Sequence, residues 1–260
     1  MRIWWRNVGP LADAGFHVIA PDLRGFGLSG LAPDGFYDVP SHSRDLHALV
    51  HDHLGIERVV AVAGDLGGAV LQDLSLRFPG FVRRAVVFNC PLPYLKGAMQ
   101  GLRTRPPIEA ADYFLRQGTD ADGLAAELAS EAARRRYIAT FYGPRFWAHP
   151  GAFDADAVAF HVEPFGDAAK LRASFGNYEA ALRAERRSEP PLLRENPTPA
   201  LILFGPSDHV IYPDFDRMAA AVFPDHVGPF LLRDAGHFLQ WEAADVVNGA
   251  IRVFCRELLV

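Results

Sequence analysis

Apolar positions along the chain fall into two kinds of stretch, and their order sets the expected architecture. Short unbroken runs rich in β-branched residues mark strands covered on both faces: 16–23 (FHVIAPDL), 59–63 (VVAVA), 83–90 (RRAVVFNC), 200–205 (ALILFG) and a last one around 229–233. Helical spacing takes over between them. A helix over 4–15 ends at Gly15, and one over 41–54 starts at Ser41 or Ser43, keeps Leu46, Leu49, Val50 and Leu54 on one face and stops at Gly55. Directly after the 59–63 strand, Ala69, Val70, Leu71, Leu74, Leu76 and Phe78 fit a helix packed back on it. From 94 to 187 the strand signals cease, and helices are expected at 109–117, 122–141, 154–165 and 167–186, with Arg134, Arg135 and Arg136 on a wet face. The connector 188–199, SEPPLLRENPTP, cannot be helix interior. A helix over 213–223 and a closing one over 241–259 flank the last strand. Strand and helix alternate on both sides of the helical block. The expected fold is therefore a mostly parallel α/β sheet with helices on both faces, built from 1–93 and 191–260, with a helical cap inserted at 94–190.

Composition narrows this. With 50% hydrophobic and 22% charged residues among 260, the chain has the make-up of a globular protein with a sizeable core. A net charge of −5 argues against nucleic acid as a partner. Cys90 and Cys255 lack CxxC spacing, which favours buried thiols in a reducing compartment. No apolar run reaches membrane-spanning length and MRIWWR is no signal-peptide start, so a cytoplasmic protein that binds no membrane is expected. His47 and His51 sit at i, i+4, but no carboxylate follows the HExxH pattern; a solvated face is the expectation, with no metal and no cofactor.

Three segments carry candidate chemistry. Asp65 lies in Ala63-Gly64-Asp65-Leu66-Gly67-Gly68, where a strand turns into a helix among small neighbours. Such a turn holds its central residue in a strained conformation, at a helix end that favours an anion. The turn alone fits an ordinary helix N-cap equally well. Asp208, in GPSDHV, and His237, in DAGHF, each follow a predicted strand. Strand carboxyl ends of a parallel sheet open on one side, so all three side chains are expected at one edge, in the order nucleophile, acid, histidine.

Taken together, PDLRGFGLSG, GDLGG, GPSDHVI and DAGHFLQWE resemble the epoxide hydrolase and haloalkane dehalogenase branch of the α/β-hydrolase superfamily, from Trp4 to the chain's end. The resemblance implies that Asp65 attacks a saturated carbon to form an alkyl ester, that water activated by His237 hydrolyses it, and that Asp208 orients the imidazole. It implies half of an oxyanion hole from the Leu66 N–H. It also implies cap tyrosines that protonate an epoxide oxygen, for which Tyr178, in FGNYEA, is the candidate and a packed aromatic the alternative. The family's first cap tyrosine aligns with Ala110; Tyr113 is the substitute. The implied substrate is small and apolar, the implied assembly a monomer or homodimer. Dehalogenation by the same nucleophile is the alternative, although Leu66 replaces the Trp or Arg that usually follows the nucleophile there, and Ala111 and Asp112 replace the His-Trp pair of fluoroacetate-type enzymes. The chain has no Gly-x-Ser-x-Gly of a serine esterase. The family's His-Gly-x-Pro loop and first strands are missing before Trp4, as is the strand between 16–23 and 59–63. That leaves two expectations: an N-terminally shortened enzyme with a gap in its sheet, poor in stability or activity, or a relative that binds without catalysis.

Overall fold

The computed structural model describes residues 1–258. Four parallel strands, β1 (Val59–Gly64), β2 (Val82–Phe88), β3 (Ala200–Phe204) and β4 (His226–Leu231), lie in the order β1-β2-β3-β4. Side chains alternate across a strand, and the two inner strands are apolar on both faces for that reason. Ala85, Val87 and Ile202 pack on one side with Leu71 of α3 (Asp65–Arg77) and with Phe215, Met218 and Val222 of α10 (Phe215–Val222). Val86, Phe88, Leu201 and Leu203 pack on the other with Leu11 of α1 (Trp5–Asp13) and with Val247 and Ile251 of α12 (Ala244–Phe254). The helix expected to close the chain is divided into α11 (Leu239–Glu242), α12 and a final 3₁₀ turn (Arg256–Leu258); its expected end at Leu259 lies outside the described residues.

Between β2 and β3 the chain forms α4 (Ile108–Thr119), α5 (Ala121–Glu127), α6 (Glu131–Ala139), α7 (Ala155–Val162), α8 (Ala168–Ser174) and α9 (Gly176–Leu182). Two of the expected long helices are broken. The 122–141 pattern is interrupted at 128–130, where Ser130 caps α6 by accepting from Ala133 N, and the 167–186 pattern is interrupted at Phe175. Arg134 is not on a wet face. It is 8% exposed and donates to the carbonyls of Leu128, Ala129 and Gly166, so one buried guanidinium serves the unpaired end of the preceding helix. The helix expected over 41–54 begins earlier. Asp38 caps α2 (Val39–His47) through Ser41 N, and a wider π-helical stretch (Ala48–His53) follows. No described helix is long and apolar enough to cross a membrane.

The 16–23 segment is not a strand. A strand needs a partner for its N–H and C=O groups, and no ladder joins this segment to β1. Instead Phe16, Ile19, Pro21 and Leu23 line a cavity of about 1170 Å³ together with every residue of β1. β1 is therefore a sheet edge. Its residues are all half-buried, whereas those of β3 are all buried, although its composition is that of an inner strand.

Close approach decides where glycine is required. A Cβ at Gly68 would run into the Cβ and Sγ of Cys90, while Gly249 in α12 has open space around it. Gly68→Ala is expected to destabilise by about 1–3 kcal/mol through overpacking. Gly249→Ala is expected to stabilise by up to about 1 kcal/mol through helix propensity. Urea unfolding of the two variants beside the parent chain checks both signs.

Candidate active site

Asp65 is the first residue of α3 and has φ +47, a left-handed backbone that costs a non-glycine residue about 1–3 kcal/mol. Its neighbours hold it there. Gly64 faces the Phe88 ring and Gly68 faces Cys90 so closely that neither position has room for a side chain, and Asp65 N donates to Asn89 O at 3.0 Å. The tightest packing thus falls one before and three after the Asp. Gly67, two after it, meets Ala63 at an ordinary 3.4 Å. The Asp65 side chain is 54% exposed, at the α3 N-terminus and in the wall of the large cavity, with Leu66 beside it.

Asp208 and His237 arrive from beyond β3 and β4. Asp208 is buried and fully engaged: Oδ1 accepts from Val210 N at 2.8 Å and Ile211 N at 3.2 Å, while Oδ2 accepts from Asn89 Nδ2 at 2.9 Å and meets His237 Nδ1 at 2.7 Å. His237 is 2% exposed. Its Nε2 lies 3.7 Å from Asp65 Oδ2, too far for a hydrogen bond, and has no partner among the described residues. The imidazole therefore stands between two carboxylates, bonded to one and facing the other. Burial pulls it toward neutrality, but Asp208 and then Asp65 outweigh burial and push it up to about 10.

The structure brings Asp65, Asp208 and His237 together and adds residues the sequence did not single out. Asn89 directly follows β2 and has φ +35. It donates to Asp208, to Gly205 O at 2.9 Å and to Gly236 O at 3.2 Å, and accepts from Gly205 N at 2.9 Å. One amide thus joins the turns that carry all three side chains. Its signal was a polar residue closing an apolar run, the same signal that marks Asp65. Glu242 fixes the histidine loop by accepting from Gly236 N, Phe238 N and His149 N at 2.7–2.8 Å. Trp147 accepts His237 N on its carbonyl at 2.7 Å and packs its ring edge-on to the imidazole at 4.6 Å.

Among the expected tyrosines, Tyr178 lines the cavity. Tyr113 does not: it packs behind Tyr178, 5.7 Å between ring centres, and against Trp147. The cavity does contain Tyr142, which nothing in the aromatic-rich FYGPRFW distinguished from packing. Burial, followed by the Asp65 charge, pushes the Tyr178 and Tyr142 phenols up, so both keep their protons at neutral pH. Away from this site, His47, His51 and Asp52 converge on the surface with ligand atoms within 4.8 Å of one another. The carboxylate there comes from the π-helical stretch instead of an HExxH pattern, and the His47 ring is stacked on Phe78.

A family model described as alpha/beta hydrolase fold matches residues 1–244. An epoxide hydrolase of Caballeronia sordidicola is 27% identical over 277 residues, which cover 97% of this chain and 83% of that protein. Haloalkane dehalogenase 2 of Mycobacterium tuberculosis is 28% identical over 248 residues, which cover 91% of this chain and 77% of that protein. Among solved structures, the epoxide hydrolase CorEH without ligand superposes with a TM-score of 0.82 at 22% identity, over 99% of this chain and 88% of that one.

The charge of His237 has a measurable signature. A group raised in the folded state adds stability that is complete below its unfolded value of about 6.5 and is lost as pH rises through about 10. Asp208→Asn removes the largest upward influence and leaves burial in place. The imidazole is then expected to titrate lower by about two units or more, read from its ring protons by NMR, and the alkaline loss of stability is expected to move down with it.

Proposed function

The chain belongs to the α/β-hydrolase fold family, and from that premise we propose that it opens epoxides on small, largely apolar molecules to vicinal diols through an ester on Asp65. The observation that carries the reading is the row Asp65, His237, Asp208, with a carboxylate at the left-handed bend and 3.7 Å between it and the imidazole.

In the first step an Asp65 oxygen attacks a ring carbon, the carbon–oxygen bond of the epoxide breaks, and the departing oxygen takes a proton from the Tyr178 hydroxyl. Esterification removes the Asp65 charge, one of the two influences that hold the proton on His237. The imidazole then releases that proton, which returns through solvent to the Tyr178 phenolate left by the first step, and becomes a base at the moment one is needed. In the second step Nε2 takes a proton from water and the hydroxide adds to the ester carbonyl. The Leu66 N–H, unpaired at the first turn of α3, faces the oxyanion. The acyl carbon–oxygen bond of the ester breaks, the departing oxygen takes the proton of the added hydroxyl, the diol leaves with Asp65 again a carboxylate, and Asp208 stabilises the imidazolium. Trp147 and Glu242 keep the histidine loop in place throughout.

Alkyl halides are the second reading, favoured by a haloalkane dehalogenase at similar identity. The ester would be the same, with halide leaving. A third outcome is a binder that returns its ligand unchanged.

His237→Ala is expected to slow turnover by about 10²–10⁴-fold and to trap the ester. Intact-protein mass should rise by the full mass of the compound for an epoxide, and by the alkyl group alone for a halide, with the label mapped to Asp65 by proteolysis. Asp65→Asn should abolish both turnover and label. Absence of an adduct with either class, or an adduct elsewhere, overturns the mechanism.

A further inference from the structure

The cavity that contains Asp65 has a second polar end. From His237 a continuous aromatic wall runs to Phe238 at 4.9 Å between ring centres, on to Tyr142 at 5.2 Å, and then to His161 at 5.0 Å. His161 is 3% exposed and Gln240 is 7% exposed, and both line the cavity. His161 Nε2 and Gln240 Oε1 are buried with no hydrogen-bond partner in the described residues. His161 packs edge-on at 4.4 Å against Trp241, the residue after Gln240 in α11, so both side chains reach the cavity from segments that touch.

Unpaired buried polar atoms cost free energy and are few in native proteins. Phe153, Phe160, Tyr142 and Trp241 surround the His161 ring, an environment that a phenylalanine would fill without that cost. An imidazole kept there in spite of the penalty marks a position where a bound group completes the hydrogen bonds. The group is neutral. Arg2 and Arg6, the nearby cations, are engaged, Arg2 with Glu163 and Phe160 O, Arg6 with Trp241 O, so no free charge is offered to an anion. His161 is itself held neutral, pushed down to about 4 by burial and then by those arginines. A neutral imidazole and an amide oxygen together present one lone pair in need of a donor and a ring nitrogen in need of a partner. A hydroxyl, which donates and accepts, can meet either atom; a carbonyl cannot donate to Gln240.

We propose that His161 and Gln240 form a second binding pole of the cavity that recognises a hydroxyl group at the far end of the substrate, three ring contacts away from the His237 imidazole that faces the attacking carboxylate. The substrate then has an epoxide at one end, an apolar body along the Phe238–Tyr142 wall, and an alcohol at the other. This rests on the epoxide reading for its reactive end only; the pole itself is a statement about binding.

The experiment pairs terminal epoxyalkanes of graded length carrying a hydroxyl at the other end with analogues in which a methyl replaces that hydroxyl. The wild-type protein is expected to prefer the hydroxylated member. His161→Phe and Gln240→Leu are each expected to lower kcat/KM for it by about 10–100-fold, through KM, and to leave the methyl analogue within about two-fold. His161→Gln is expected to restore part of the preference. The ring-opened products, the hydroxylated triol and the methyl diol, are measured in parallel by calorimetry on the wild-type protein and the same variants, a readout that needs no chemistry. Preference for the triol that disappears in His161→Phe supports the pole even where no epoxide turns over, an outcome that would overturn only the reaction. Turnover in which both members fall alike, or neither falls, overturns the pole and leaves the reaction standing. His161→Phe should melt at or above the wild-type temperature, because it removes an unpaired polar atom. A lower melting temperature would assign His161 a packing role, and Gln240→Leu then decides the matter by the same comparison.

Discussion

A carboxylate held at a bend that its own backbone disfavours is the constraint on which the rest of the site depends. Asp65 keeps φ +47 because α3 is pressed against the end of β2, with Gly64 on Phe88 and Gly68 on Cys90, and because its N–H is tied to Asn89 O. Asn89 is itself left-handed and ties the same point to Gly205, Gly236 and Asp208. The geometry of three distant segments is thus settled at the carboxyl end of β2. A side chain at Gly64 or Gly68 would separate the layers, and the carboxylate, the imidazole and the second carboxylate would lose their alignment together.

The electrostatics follow from that alignment. Two carboxylates flank one buried imidazole. The inner one is saturated by two backbone donors and an amide, while the outer one faces the cavity over half its surface. Only the outer charge can change during a reaction, and its loss alters the proton affinity of the imidazole between them. In the proposed reaction this arrangement would link the formation of an ester to the readiness of the base without any movement of the chain. Tyr178 and Tyr142, kept protonated by burial beside the same charge, complete a cavity in which proton donors and acceptors are sorted by their surroundings.

Much of this was legible in the sequence because it is local. The apolar runs that became β1, β2 and β3 name themselves, and Asp65 directly follows a strand while Asp208 and His237 lie in the loops just beyond theirs, which in a parallel sheet is enough to bring them to one edge. What was not legible depends on partners. The 16–23 run has strand composition yet forms no ladder, since pairing is a property of two segments and β1 lies across a cavity from it. Arg134 looked solvated in a run of three arginines; its burial is decided by carbonyls left open at Leu128, Ala129 and Gly166. Tyr113 and Tyr142 cannot be ranked by type or spacing, because facing the cavity or backing its wall is a matter of helix rotation. Asn89 and Glu242 gave faint signals, one at a strand end and one in a helix turn, and their importance comes from how many backbone groups they gather.

The open edge of β1 has a consequence for how the molecule fluctuates. β2 and β3 are hydrogen-bonded on both sides, whereas β1, like β4, is paired on one side only; its faces pack on α3 and the core, and its free edge borders the cavity. Amide protons along that free edge have no ladder to shelter them from exchange, so the strand that leads into Asp65 is one of the two whose backbone is only half paired. A molecule that filled the cavity would border the β1 residues that line it. Filling of the cavity and the packing of the strand that leads into the elbow are thereby linked.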